Sequence, residues 1–104
     1  MPQYCCSFAL GMSMALPTAG LAPLGWAQEG DRLTTVCHFA DFAAAVAFVE
    51  RLVEPADRLG HHPDLAIAYN RVTLHLTTHD AGGLTALDFA LAEEISALHD
   101  GQCQ

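Results

Sequence analysis

The chain has no lysine, and its only fixed cations are Arg32, Arg51, Arg58 and Arg71. Twelve acidic residues outweigh them, for a formal charge of −8. Nucleic-acid backbones are held by clustered lysine and arginine, so this balance argues against direct nucleic-acid binding. It disfavours an anionic membrane surface for the same reason. Long apolar runs are also missing: none reaches the roughly 18 to 20 residues that span a bilayer. Phe8–Leu16 is apolar, and Ala15, Ala19 and Ala22 are small. No Lys or Arg precedes that stretch, so it lacks the positive start of a secretory leader, and a cytoplasmic protein is expected. Cysteine is scarce and unpatterned. Cys5, Cys6, Cys37 and Cys103 form no C-x-x-C pair, which points to four free thiols, with Cys37 a small core residue.

What is present is apolar bulk. At 52% of the chain it argues against disorder, and 104 residues suit one domain with one small core. Residues 1–12 read as an irregular tail, 13–100 as the domain and 101–104 as a second tail. Ser13–Leu24 reads as a short helix with Leu16, Leu21 and Leu24 on its apolar side. Trp26–Glu29 and Arg32–Phe39 read as strands about a Gly30-Asp31 turn. Leu33, Cys37 and Phe39 share a face of the second strand that Thr35 interrupts, and His38 reads as a surface histidine. Asp41 suits the N-cap of the longest helix. Phe42, Val46, Val49, Val53 and Ala56 recur along it, Ala45, Phe48 and Leu52 widen the stripe, and Gly60 ends it after Leu59. Pro55 falls inside, where it costs about 3 kcal/mol, so a kink or an irregular last turn is expected. Leu65–Tyr69 and Arg71–Thr77 alternate as two strands around a tight turn at Asn70. Thr85 caps a last helix with Leu87, Leu91, Ile95 and Leu98 inward. The order is α-β-β-α-β-β-α. It predicts an α+β fold, a four-stranded antiparallel sheet with helices packed on one face.

The chemistry gathers between Asp57 and Asp88. His61 and His62 precede Pro63, and His79 ends an alternating run. Histidine titrates nearest neutral pH, so three from two places in the chain suggest proton transfer. A metal needs three or four converging ligands. His61 and His62 are neighbours whose side chains diverge on any regular element, so no metal is expected. Asp57, one helical turn before His61, and Asp80, beside His79, are placed to orient imidazoles, although surface charge explains them equally well. Asp88 with Thr85 reads first as a helix cap. Trp26 reads first as core.

Asp57, His61, His62, Pro63, Tyr69, His79 and Asp88 stand in a spaced set that resembles the pterin-4a-carbinolamine dehydratase family. Gly25-Trp26, Phe39-Ala40-Asp41-Phe42 with Ala45 and Phe48, Leu76–Asp80 and Gly83-Leu84-Thr85 extend the resemblance over Leu21–Leu98. It implies the same four-stranded fold and a lyase that dehydrates 4a-hydroxytetrahydropterin, recycling the pterin cofactor of aromatic amino-acid hydroxylases. It implies no cofactor of the lyase's own. By resemblance His61, His62 and His79 are catalytic, and Trp26, Asp57, Pro63, Tyr69, Asp80 and Asp88 meet the substrate. The family's other use of the fold, as a dimerising coactivator or assembly module, is the alternative. Such a module has no need of all three histidines. A homodimer or homotetramer is expected, since a small sheet gains by pairing its edges. One departure stands out: Leu65-Ala66-Ile67-Ala68 replaces a bulkier, aromatic-containing segment of many members.

Overall fold

Two β-hairpins make the sheet of this computed structural model, which describes residues 22–104. The first joins β1 (Ala27–Glu29) to β2 (Arg32–His38) through Gly30-Asp31. The second joins β3 (Asp64–Ala68) to β4 (Arg71–Leu76) through Tyr69-Asn70. β2 and β4 pair antiparallel, with Leu33 opposite Leu76 and Cys37 opposite Val72. The sheet order is β1-β2-β4-β3, antiparallel throughout.

Alternation separates its two faces. Leu33, Thr35 and Cys37 of β2 and Val72, Leu74 and Leu76 of β4 are buried. The apolar ones form one core with Ala45 and Phe48 of α1 (Phe42–Arg51) and with Phe89, Leu91, Ala92 and Ile95 of α3 (Ala86–Ser96). The helices therefore cover one side of the sheet. Thr35 does not interrupt the buried face but belongs to it. Its hydroxyl donates to the Gly25 carbonyl at 2.6 Å, so a polar group sits in the core with its bond made.

Among the described residues the order is β-β-α-β-β-α, and no helix precedes the first strand. Most of the helix expected over Ser13–Leu24 lies outside the described residues, and 22–24 are not helical. The long central helix is broken in two. α1 ends at Arg51, Leu52 caps it, and α2 runs Val53–Leu59. Pro55 is the third residue of α2, where no amide is needed for an intrahelical bond, so the break removes the clash an unbroken helix would carry. Arg58 ties α2 to α3 by bonding Glu54 at 3.0 Å and Glu94 at 2.9 Å. Glu54 first, then Glu94, holds its guanidinium protonated beyond its ordinary range.

The last residues do not hang free. His38 N–H donates to Gln102 O and Gln104 N–H to Val36 O, each at 2.9 Å. This antiparallel bridge sets Cys103 opposite Cys37, and the two form a disulfide. The expectation of free thiols is corrected for this pair. The bridge that creates it is a long-range contact that cysteine spacing does not show. Among the described residues no helix is long and apolar enough to cross a membrane.

Candidate active site

The site begins where α2 stops. Gly60 takes the left-handed conformation (φ 64°, ψ 31°) that side chains disfavour. Its N–H bonds Asp57 O at 3.2 Å, and His61 N–H bonds Ala56 O at 3.0 Å. This is a Schellman closure, and it fixes how the chain leaves the helix. His61 is left largely covered and His62 exposed, with side chains 11% and 64% accessible.

His61 meets Asp88. Its Nε2 lies 2.5 Å from Asp88 Oδ1, and Asp88 is fully buried. The other carboxylate oxygen accepts from Thr85 N–H at 2.9 Å and from the Thr78 hydroxyl at 2.8 Å. Asp88 is thus both the cap of α3 and the partner of His61. This sets the phase of the helix. Asp88, Leu91, Ala92 and Ile95 form the i, i+3, i+4, i+7 buried stripe, with Phe89 beside it. Leu87, expected inside, is instead 40% exposed.

The two other motif histidines, His62 and His79, also face a carboxylate, in the open. His62 Nε2 is 2.9 Å from Asp57 Oδ1. His79 Nε2 is 3.6 Å from Asp64 Oδ2. Contacts link His61 to His79: His61 to Asp88, Asp88 to Thr78, Thr78 by one peptide to His79, and His79 to Asp64. These residues gather at one end of the sheet, where α2 runs into β3 and β4 runs into α3. Pro63 is half-buried between His62 and β3, and Asp80 is exposed in the 3-10 turn His79–Ala81.

Two residues are not brought there. Trp26 is in the core, its indole N–H donating to Ser96 Oγ at 3.1 Å. Ser96 ends α3 while Asp88 lies in its first turn, about 12 Å away along the axis. Tyr69 is exposed at the hairpin tip, at the opposite end of β3 from Asp64, roughly 17 Å by strand rise. Asp64 and Thr78 are the site residues that sequence reasoning passed over. Both adjoin the histidine motifs, and that adjacency was the available signal. His75 and His79 have a four-residue spacing that on a helix would present two imidazoles to one metal. Here His75 lies on β4 and His79 beyond its end. Among the described residues, no group of three or more His, Cys, Asp or Glu is placed to hold a metal.

A family model, Pterin 4 alpha carbinolamine dehydratase, matches residues 12–98. The chain belongs to the pterin-4a-carbinolamine dehydratase family. A protein of Thermosynechococcus vestitus named "Putative pterin-4-alpha-carbinolamine dehydratase" is 58% identical over 74 residues, covering 71% of this chain and 78% of its own. One of the same name from Cyanothece is 59% identical over 73 residues, 70% and 75% of the two chains. The crystal structure of a transcriptional coactivator/pterin dehydratase from Brucella melitensis superposes with a TM-score of 0.70 at 34% identity, over 74% of this chain and 84% of that one. A pterin dehydratase-like RuBisCO assembly factor of the α-carboxysome shares the fold, with a TM-score of 0.56 at 22% identity over 70% and 84% of the two chains.

Proposed function

We propose that this protein dehydrates 4a-hydroxytetrahydropterins to quinonoid dihydropterins. The C4a–O bond breaks, the hydroxyl leaves as water after taking a proton, and N5 gives up its proton as the N5=C4a double bond forms. One base and one acid suffice, and no electrons are exchanged. The observation that carries this reading is the His61–Asp88 contact. With Asp88 as carboxylate, Nε2 must carry the hydrogen, which leaves the Nδ1 lone pair to accept the N5 proton. This is how a buried aspartate fixes the tautomer of a catalytic histidine in general. His79, exposed at the other side of the cluster, supplies the proton to the departing hydroxyl. His62, held by Asp57, stabilises the positive charge that develops on the ring or binds it. Asp57 and Asp88 act through their histidines. Pro63 and Asp80 border the substrate.

The names of the close relatives support the same activity. The quinonoid product returns to the cofactor cycle of an aromatic amino-acid hydroxylase. A homodimer or homotetramer belongs to this reading, because among the described residues β3 ends the sheet with an unpaired edge. So does a cytoplasmic location, against which the Cys37–Cys103 disulfide weighs, since thiols are kept reduced there.

The test is a rapid-mixing absorbance assay on freshly generated 4a-hydroxytetrahydropterin. Wild type accelerates its decay. His61→Ala and His79→Ala each lose about 10²- to 10⁴-fold in rate with circular dichroism unchanged. No acceleration by folded wild type sinks the proposal. Full turnover by His61→Ala with loss in His62→Ala would exchange their roles.

A further inference from the structure

The histidine site is open in one chain. His62 and His79 have side chains 64% and 80% accessible. A flat heterocycle is commonly held against an aromatic side chain that also excludes water. Among the described residues the exposed aromatics, Phe42 and Tyr69, lie instead at the far end of the sheet. Tyr69 is held there under strain. Its φ is 55°, a left-handed backbone that bulky side chains avoid. The turn is pinned, because the Asn70 side chain donates to Phe39 O and Phe39 N–H donates to Asn70 O, each at 2.9 Å. An aromatic residue both strained and exposed is not explained by packing, and such strain collects at functional positions.

The edge of β3 offers Tyr69 a route to a site. Edge strands are ordinarily guarded by charge, proline or a bulge. Leu65-Ala66-Ile67-Ala68 carries none of these. The two-residue turn makes Ala68 and Arg71 a hydrogen-bonded pair, so alternation turns the amides and carbonyls of Leu65 and Ile67 outward. A second copy related by a two-fold axis at Ala66 sets Leu65 against the partner's Ile67, and every bond is made twice. The helices of both copies stay on one side of the joined sheet. On the other side Asp64 stands in one row with the partner's Ala68 and, one strand further, the partner's Arg71. That span is about 10 Å, two strand spacings, with only an alanine methyl between. Arg71 forms no ion pair among the described residues. The contact therefore matches charge as well as register, and its occupant is a second copy of this chain.

Building on the dehydratase reading, we propose that Tyr69 of one copy enters the histidine site of a second copy and stacks on the bound pterin ring beside His62. In the register above, Tyr69 falls opposite the partner's Pro63, about 5 Å away between Cα atoms. Within one chain the length of β3 keeps Tyr69 from Asp64. Across the two-fold axis that same length carries it in. The exposed His62 and His79 gain an aromatic cover, and the strained turn is rigid because it serves another chain's site.

The experiment combines two defects in one dimer. Tyr69→Ala and His61→Ala are each made alone, then co-expressed with different affinity tags so that the mixed dimer is purified through both. Tyr69→Ala alone folds, since its side chain is exposed, and loses about ten- to a hundredfold in kcat/KM, the effect of one stacked aromatic ring, mostly through KM. In the mixed dimer the Tyr69→Ala copy keeps its own His61 and receives Tyr69 from its partner. One of the two sites is then native, and kcat/KM returns to about half of wild type. If Tyr69 served its own chain, each site would lack one residue, and the mixed dimer would be no better than Tyr69→Ala alone. That result overturns the inference and leaves the dehydratase intact. So does a wild type that is fully active while sedimenting as a monomer, or a Tyr69→Ala variant with wild-type kinetics. If folded wild type does not accelerate carbinolamine decay, the dehydratase reading and this inference fall together.

Discussion

Asp88→Asn tests how one carboxylate serves both helix and histidine. Asn keeps the shape of Asp and one carbonyl oxygen. That oxygen still accepts from Thr85 N–H and the Thr78 hydroxyl, which lie at 2.9 and 2.8 Å. The amide NH₂ then faces His61 Nε2, where Oδ1 had been. Two donors cannot meet, so Nε2 must become the acceptor and the ring hydrogen moves to Nδ1. That is the atom proposed to take the substrate's proton. Charge-assisted bonds become neutral ones, a loss of about 1–3 kcal/mol in stability. The rate falls more steeply, by about 10²- to 10⁴-fold, because the base is removed. Asp88→Ala is the contrast. It strips the cap and leaves three donors unpaired, at about 3–5 kcal/mol. Urea unfolding measures the first quantity and rapid-mixing absorbance the second. The double variant with His61→Ala isolates the coupling. In the His61→Ala background Asp88→Asn adds little further loss of rate. If it costs the same factor there as in wild type, Asp88 does not act through His61, and the tautomer argument fails.

Three other outcomes follow from the fold. Reducing Cys37–Cys103, or replacing Cys103 by Ser, reopens a loop of 66 residues' separation. The chain-entropy model puts the loss at about 4 kcal/mol, visible as a lower urea midpoint with reductant. Gly60→Ala places a side chain at φ 64° and costs about 1–2 kcal/mol by thermal melt. It also slows turnover, since Gly60 aims the chain into His61. Thr35→Val deletes the bond to Gly25 O and lowers stability by about 1–2 kcal/mol with activity kept, because Thr35 lies in the core away from the histidines.

The sheet was legible because its strands alternate and its turns carry glycine, aspartate or asparagine. Asp41 as cap and Gly60 as stop were legible because each follows from one residue's backbone chemistry. What escaped depends on contacts distant in sequence. Thr35 looked like a fault in an apolar face because its partner, the Gly25 carbonyl, comes from another segment. Leu91 and Ile95 are buried as expected, but the first turn of α3 escaped because Asp88, not Leu87, occupies its core position. The break at Leu52 was half foreseen: Pro55 announced a disturbance, but an intact α1 displaced it upstream. The histidines and their flanking aspartates were visible as a motif, whereas Asp64 and Thr78 join them only through folding. Trp26 and Tyr69 entered by resemblance, and within one chain the fold does not carry them to the cluster.

The bond between Cys37 and Cys103 also sets a problem of order. Cys5 and Cys6 stand about half as far from Cys37 along the chain as Cys103 does. In an unfolded chain the shorter loop closes more readily, by about 0.6 kcal/mol per halving, and there are two such competitors. Random oxidation therefore favours mispaired species over the native one. Only a chain that has already laid residues 102–104 beside β2 selects the right partner. Refolding this protein with oxidant added late, after the sheet has formed, gives the higher yield of correctly crosslinked product.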